Sequence, residues 1–107
     1  MATLQELQAP IDAAIINAMI ESTPETWCEI VLTLSRAPGD MGIGSFLHEF
    51  ASPEGHAPVG PAESLYDATY KLDALIQSAG RGVISKAVYV AKSVGDKWSY
   101  QATFEYL

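Results

Sequence analysis

The residues able to do chemistry are few. His48-Glu49 opens like the zinc-protease motif, in which a second His follows the Glu by three positions so that a helix sets both imidazoles on one face. Ser52 stands at that position and Pro53 follows it, so the metal-hydrolase reading fails. His48 and His56, with Glu49 or Glu54, are metal-ligand types whose spacing asks for no ion; no metal and no cofactor are expected. Gly42-Ile43-Gly44-Ser45 is glycine-rich but lacks the GxGxxG spacing and the following base that a phosphate cradle uses, so a bulge or tight turn is expected there. Ser45 is not a nucleophile elbow, because Leu47 holds the last glycine position. Cys28 falls into an apolar alternation and reads as an inert buried thiol. The tyrosines Tyr66, Tyr70, Tyr89, Tyr100 and Tyr106 suit an interface rim or the edge of a core. No set of nucleophile, base and oxyanion donor emerges, so no catalytic residue is assigned and an enzyme is not expected.

The elements that must position these residues come from hydrophobic spacing. Thr3 with Glu6 is a capping box, and Leu4, Leu7, Ile11, Ala14, Ile15, Ala18 and Met19 form a helical stripe, so a helix is expected from about Leu4 to Glu21. Pro10 inside it should kink the helix or move its start. Trp27 to Arg36 reads as a strand with Cys28, Ile30, Leu32 and Leu34 on its core face. Turn chemistry at 37–40 leads to a second strand, Ile43 to Phe50, hairpinned to the first, with both faces carrying apolar groups. Residues 51–61 are rich in Pro, Gly and Ala and read as a long surface loop. A second helix is expected over Ala62 to Ala79, with Leu65, Ala68, Thr69, Leu72, Leu75, Ile76 and Ala79 inward and Glu63, Asp67, Lys71 and Asp73 off the stripe. Gly80-Arg81-Gly82 stops it. Ile84 to Ser93 and Trp98 to Tyr106 are the last two strands, joined at Gly95-Asp96. The expected fold is a single α+β domain over residues 1–107 in the order αββαββ, an antiparallel sheet with both helices packed on one face.

Composition narrows the function. A chain of 107 residues with 49% hydrophobic and 18% charged residues supports one core and is not a disordered tail. One cysteine allows no internal disulfide. The first 25 residues hold four acids and no base, and the longest nearly apolar stretch, Ala13 to Ile20, is far short of a membrane span; a soluble cytoplasmic protein is expected. The net charge is −7, and it is uneven: residues 1–80 hold eleven acids against Arg36 and Lys71. Such a surface repels nucleic-acid phosphates and attracts a basic partner.

The order of elements resembles the YezG-like family of bacterial immunity proteins, antitoxins of polymorphic toxin systems. The resemblance rests on Pro24 and Trp27 before the first strand, Leu65-Tyr66 opening the second helix, and Phe104 and Tyr106 closing the last hairpin. It implies a non-enzymatic function: binding and neutralising a cognate toxin domain, such as a nuclease with a basic cleft. The acidic residues then expected at the contact are Asp40, Glu49, Glu54, Glu63, Asp67 and Asp73. Two other readings stand beside it. One is an α+β interaction module acting as a homo-oligomer, such as a homodimer. The other is a ligand site around His48, His56 and the 51–61 loop.

Overall fold

The computed structural model describes residues 3–23, 27–37, 39, 42–52, 55, 60–95 and 97–106. The elements are α1 (Leu4–Ser22), β1 (Glu29–Ser35), β2 (Leu47–Ala51), α2 (Glu63–Ser78), β3 (Ile84–Val94) and β4 (Lys97–Tyr106). The strands form one antiparallel sheet in the order β2-β1-β3-β4. Both helices lie on the same face of it: α1 reaches β3 through Asp12 and Tyr89, and α2 reaches β2 through Thr69 and His48. The α+β architecture and element order expected from the sequence are those observed.

Local chemistry accounts for the helix ends. Thr3 caps α1 by accepting from the Glu6 N–H at 3.2 Å. The helix runs through Pro10 without a break. Pro10 removes the hydrogen bond to the Glu6 carbonyl, but both residues face water, which solvates that carbonyl. At the far end, Ser22 Oγ donates to the Ala18 carbonyl and accepts from the Ala62 N–H, so the end of α1 caps the start of α2. The helices are therefore antiparallel. α2 closes with paired bonds, Gly80 N–H to Gln77 O and Arg81 N–H to Ile76 O, and Gly80 adopts the positive φ of 70° that this ending needs.

The core lies between the helices and one sheet face. Ile30, Leu32 and Leu34 of β1 and Ala87, Tyr89 and Ala91 of β3 point into it, against Ile15 and Met19 of α1 and Leu65, Leu72 and Ile76 of α2. Several expectations need correction. Cys28 is exposed and Trp27 is buried, because the chain bends at Cys28 and strand alternation starts only at Glu29. Leu7, 48% exposed, and Ala14 lie outside the core, since α1 buries its second half, Ile15 to Met19. β2 does not reach back to Ile43. Residues 42–46 turn instead, with Gly44 at φ +76°, and the Ser45 and Phe46 N–H groups bond Gly42 O and Gly44 O.

Among the described residues the opposite sheet face carries no helix. Its rows set Glu49 beside Thr33, Val88 and Thr103, and Glu29 beside Lys92, with which it forms an ion pair at 3.3 Å. Among the described residues no helix is long and apolar enough to cross a membrane. The placement of the core predicts a contrast measurable by urea unfolding: Leu32→Ala should cost about 2–5 kcal/mol, whereas Leu7→Ala should cost under about 1 kcal/mol.

Candidate functional site

The candidate site is the corner where α2 meets the β1–β2 connector. Its foundation is an ion pair with almost no solvent contact. Arg36, just past β1, donates from Nη2 to Asp73 Oδ2 at 2.7 Å, the two side chains being 1% and 0% exposed. Two more of its donors go to backbone: Nε to the Ile84 carbonyl at 2.8 Å and Nη1 to the Gly42 carbonyl at 2.6 Å. The guanidinium also lies over the Phe46 ring, 4.6 Å from its centre. Asp73 Oδ2 accepts further bonds from the Gly44 N–H at 2.8 Å and from Gln77 at 3.2 Å. The planar fork of arginine suits this task, since it reaches three acceptors in fixed directions. The pair thereby joins β1, β3, the connector and α2.

On that base the connector is held against α2. A Cβ at Gly44 would stand 2.7 Å from a ring carbon of Tyr70, so only glycine lets the backbone come this close. The outer surface here carries exposed groups: Ile43 on the connector, next to Gly44, and Tyr66 and Tyr70, 49% and 53% exposed, one turn apart on α2, whereas Leu47 stands with Glu49 on the uncovered sheet face. His48 supports this outer surface from below. Its ring meets Tyr66 edge-on, with centres 4.6 Å apart. Nδ1 lies 3.1 Å from the Phe46 carbonyl, which can only accept, so Nδ1 carries the proton. Nε2 lies 2.9 Å from the Thr69 hydroxyl, whose single proton is shared with the Tyr66 carbonyl at 3.2 Å. A hydroxyl beside an imidazole is the start of a nucleophile–base pair, but Thr69 is fully buried and no substrate reaches it. The contact instead ties α2 to β2.

A second buried polar seam lies under α1. Tyr89 donates to Asp12 Oδ1 at 2.7 Å, and Gln8 reaches Asp12 Oδ2 at 3.4 Å. Burial raises the Asp12 carboxyl above the usual carboxylate range, against the lowering effect of those bonds. Burial, together with Asp12 itself, pushes the Tyr89 hydroxyl well above its ordinary value. This seam fastens α1 to β3.

The six acidic residues expected at a contact do not form one face. Asp40 and Glu54 lie outside the described residues, as does His56. Glu49 is exposed on the uncovered sheet face, pointing away from the helix layer. Glu63 and Asp67 are exposed one turn apart on the outer surface of α2, beside Tyr66 and Tyr70. Asp73 is a correction: it is fully buried, because it turns toward the connector to meet Arg36. Asp67 also borders a largely apolar groove of about 410 Å³ between the helices, lined by Pro10, Ile11, Ala14, Ala68 and Lys71. Among the described residues no group of three His, Cys, Asp or Glu side chains is placed to hold a metal ion. Sequence reading missed Arg36, Asp73, Asp12 and Tyr89 as partners. A signal did exist, since Asp12 and Asp73 each interrupt an apolar helical stripe.

Two outcomes follow. Asp73→Ala leaves Arg36 buried and uncompensated and should cost about 3–5 kcal/mol in urea unfolding. His48 is the pH-sensitive element: burial lowers its pKa, outweighing the raising effect of the Phe46 carbonyl. The unfolded chain therefore takes up this proton first. Its contribution to stability is complete above the unfolded value of about 6.5 and is lost as pH falls from there toward the folded pKa. Urea midpoints measured between about pH 7.5 and 5.5 should fall more steeply for the wild type than for His48→Gln.

No family model matches this chain and no curated protein matches its sequence, so the surface and its chemistry carry the functional reading.

Proposed function

We propose that the chain is an immunity-type inhibitor that binds a cognate protein toxin with a basic surface, using the outer face of α2 and the corner beside it. One observation carries the reading: Tyr66 and Tyr70 are half exposed on a rigid base and flanked by Glu63 and Asp67. Tyrosine is favoured at the centre of protein interfaces, because it supplies large contact area at little rotamer cost and has a polar tip that bonds across the contact. Around such a centre, carboxylates accelerate encounter with a basic partner and disfavour an acidic one. A toxin that acts on nucleic acid carries a basic cleft, and a chain of net charge −7 is drawn to it. The fixed backbone of the corner lowers the ordering cost of binding.

The test is co-expression with toxin domains that carry a basic cleft, scored by growth rescue, followed by binding kinetics on the purified pair. Reversing Glu63 and Asp67 together to Lys should slow association about tenfold or more at low salt and have less effect at high salt. Tyr66→Ala should chiefly speed dissociation, weakening affinity by about 2 kcal/mol. Unchanged association on charge reversal would sink the electrostatic form of the reading.

A further inference from the structure

Among the described residues the longest unpaired margin of the sheet belongs to β4. The strand bonds β3 along one side only, and its other side presents main-chain donors and acceptors over ten residues. Folded proteins blunt such edges with prolines, short strands or charges placed mid-strand. The opposite margin, β2, is five residues long. β4 has no proline, and its charged residues stand near its two ends with opposite signs, Lys97 and Glu105.

We propose that a second copy of this chain pairs with β4 in antiparallel fashion about a twofold axis at Gln101, joining two four-stranded sheets into one of eight strands. The sequence on either side of Gln101 is complementary to itself. In this register Lys97 faces Glu105 of the partner subunit, Trp98 faces Phe104 of the partner subunit, Ser99 faces Thr103 of the partner subunit, and Tyr100 faces Ala102 of the partner subunit. Opposite charges and aromatic pairs are the stabilising cross-strand combinations, and a large ring beside a small residue lets the two rows interlock. Residues that face the helix layer meet residues that face it too, so both helix layers fall on one side of the joined sheet. A slip of one residue sets Trp98 against Glu105 and Tyr100 against Thr103, mixing the faces. A slip of two residues keeps the faces but sets Glu105 against Ser99 and leaves Lys97 without an acid opposite. Within its own chain Lys97 stands across from Val94, so the acid that complements it comes from across the edge. The pairing is independent of what α2 binds.

The experiment is sedimentation of the purified full chain, alone, from about 1 to about 100 µM. The wild type should approach twice 11.5 kDa as concentration rises. Lys97→Glu and Glu105→Lys should each weaken self-association about tenfold, because each sets like charges opposite one another at both ends of the interface. An equimolar mixture of the two variants should regain the wild-type affinity, since each chain then meets the opposite charge. Amide exchange over residues 98–104 of the wild type should slow with concentration, a readout that needs no variant. A wild type that stays monomeric with exchange independent of concentration overturns the proposal. So do single variants that associate like the wild type, or a mixture no tighter than its components. Protection of β4 that appears only when another protein is added assigns the edge to a foreign strand and also overturns it.

Discussion

The Arg36–Asp73 pair is the contact on which this molecule depends. Two full charges out of water are costly, and their mutual attraction together with the hydrogen bonds around them offsets that cost. Here Arg36 reaches Ile84 and Gly42 carbonyls, and Asp73 Oδ2 receives the Gly44 N–H and Gln77, while Oδ1 is buried with no hydrogen-bond partner among the described residues. The added bonds reach the start of β3, the connector twice, and α2 itself. The end of β1, the start of β3, the connector and α2 are therefore held to one another at a single point, 2.7 Å across. The connector shows the consequence most directly: Gly44 turns at positive φ, lies against Tyr70 and leaves Ile43 facing outward.

Away from that pair, a directional bond within apolar surroundings fastens each helix to the sheet. Tyr89 to Asp12 fastens α1, and His48 to Thr69 fastens α2. Apolar burial is strong but has no direction, whereas a hydrogen bond fixes which turn of a helix faces which strand. Because β3 holds one partner and β2 the other, the helices lie side by side across the sheet, with the end of α1 capping the start of α2. The buried polar groups of this fold are thus positioning devices, and they leave the outer helix surface free to differ in charge and shape.

The surfaces with chemistry of their own sit at opposite margins of the sheet. The tyrosine corner and the acids Glu63 and Asp67 lie over β2, and the long unpaired edge is β4. Pairing through β4 would leave both tyrosine corners outward, at the two ends of the joined sheet. Recognition of a basic partner and self-association would then use separate surfaces of one small domain.

Much of the architecture was legible in the residues themselves. Alternation in β1 and β4, helical stripes over both helices, Thr3 at one helix start and Gly80 at one helix end are short-range signals, and the backbone obeys them. What the spacing could not decide was any question settled by a neighbour distant in sequence. Asp73 is charged, and by type belongs in water; it is buried where Arg36, 37 positions away, pairs with its Oδ2, while its Oδ1 is buried with no hydrogen-bond partner among the described residues. Cys28 continues the β1 pattern on paper, yet the chain bends there and Trp27 takes the interior instead. Glu49, Glu63 and Asp67 look alike as acids, but the pleat of β2 and the turn of α2 aim them at opposite sides of the molecule. Sequence determined the elements, because their period is a property of the backbone alone. The tertiary structure decided which polar groups are buried and which share a surface, because charge pairing and solvent access depend on what packs alongside.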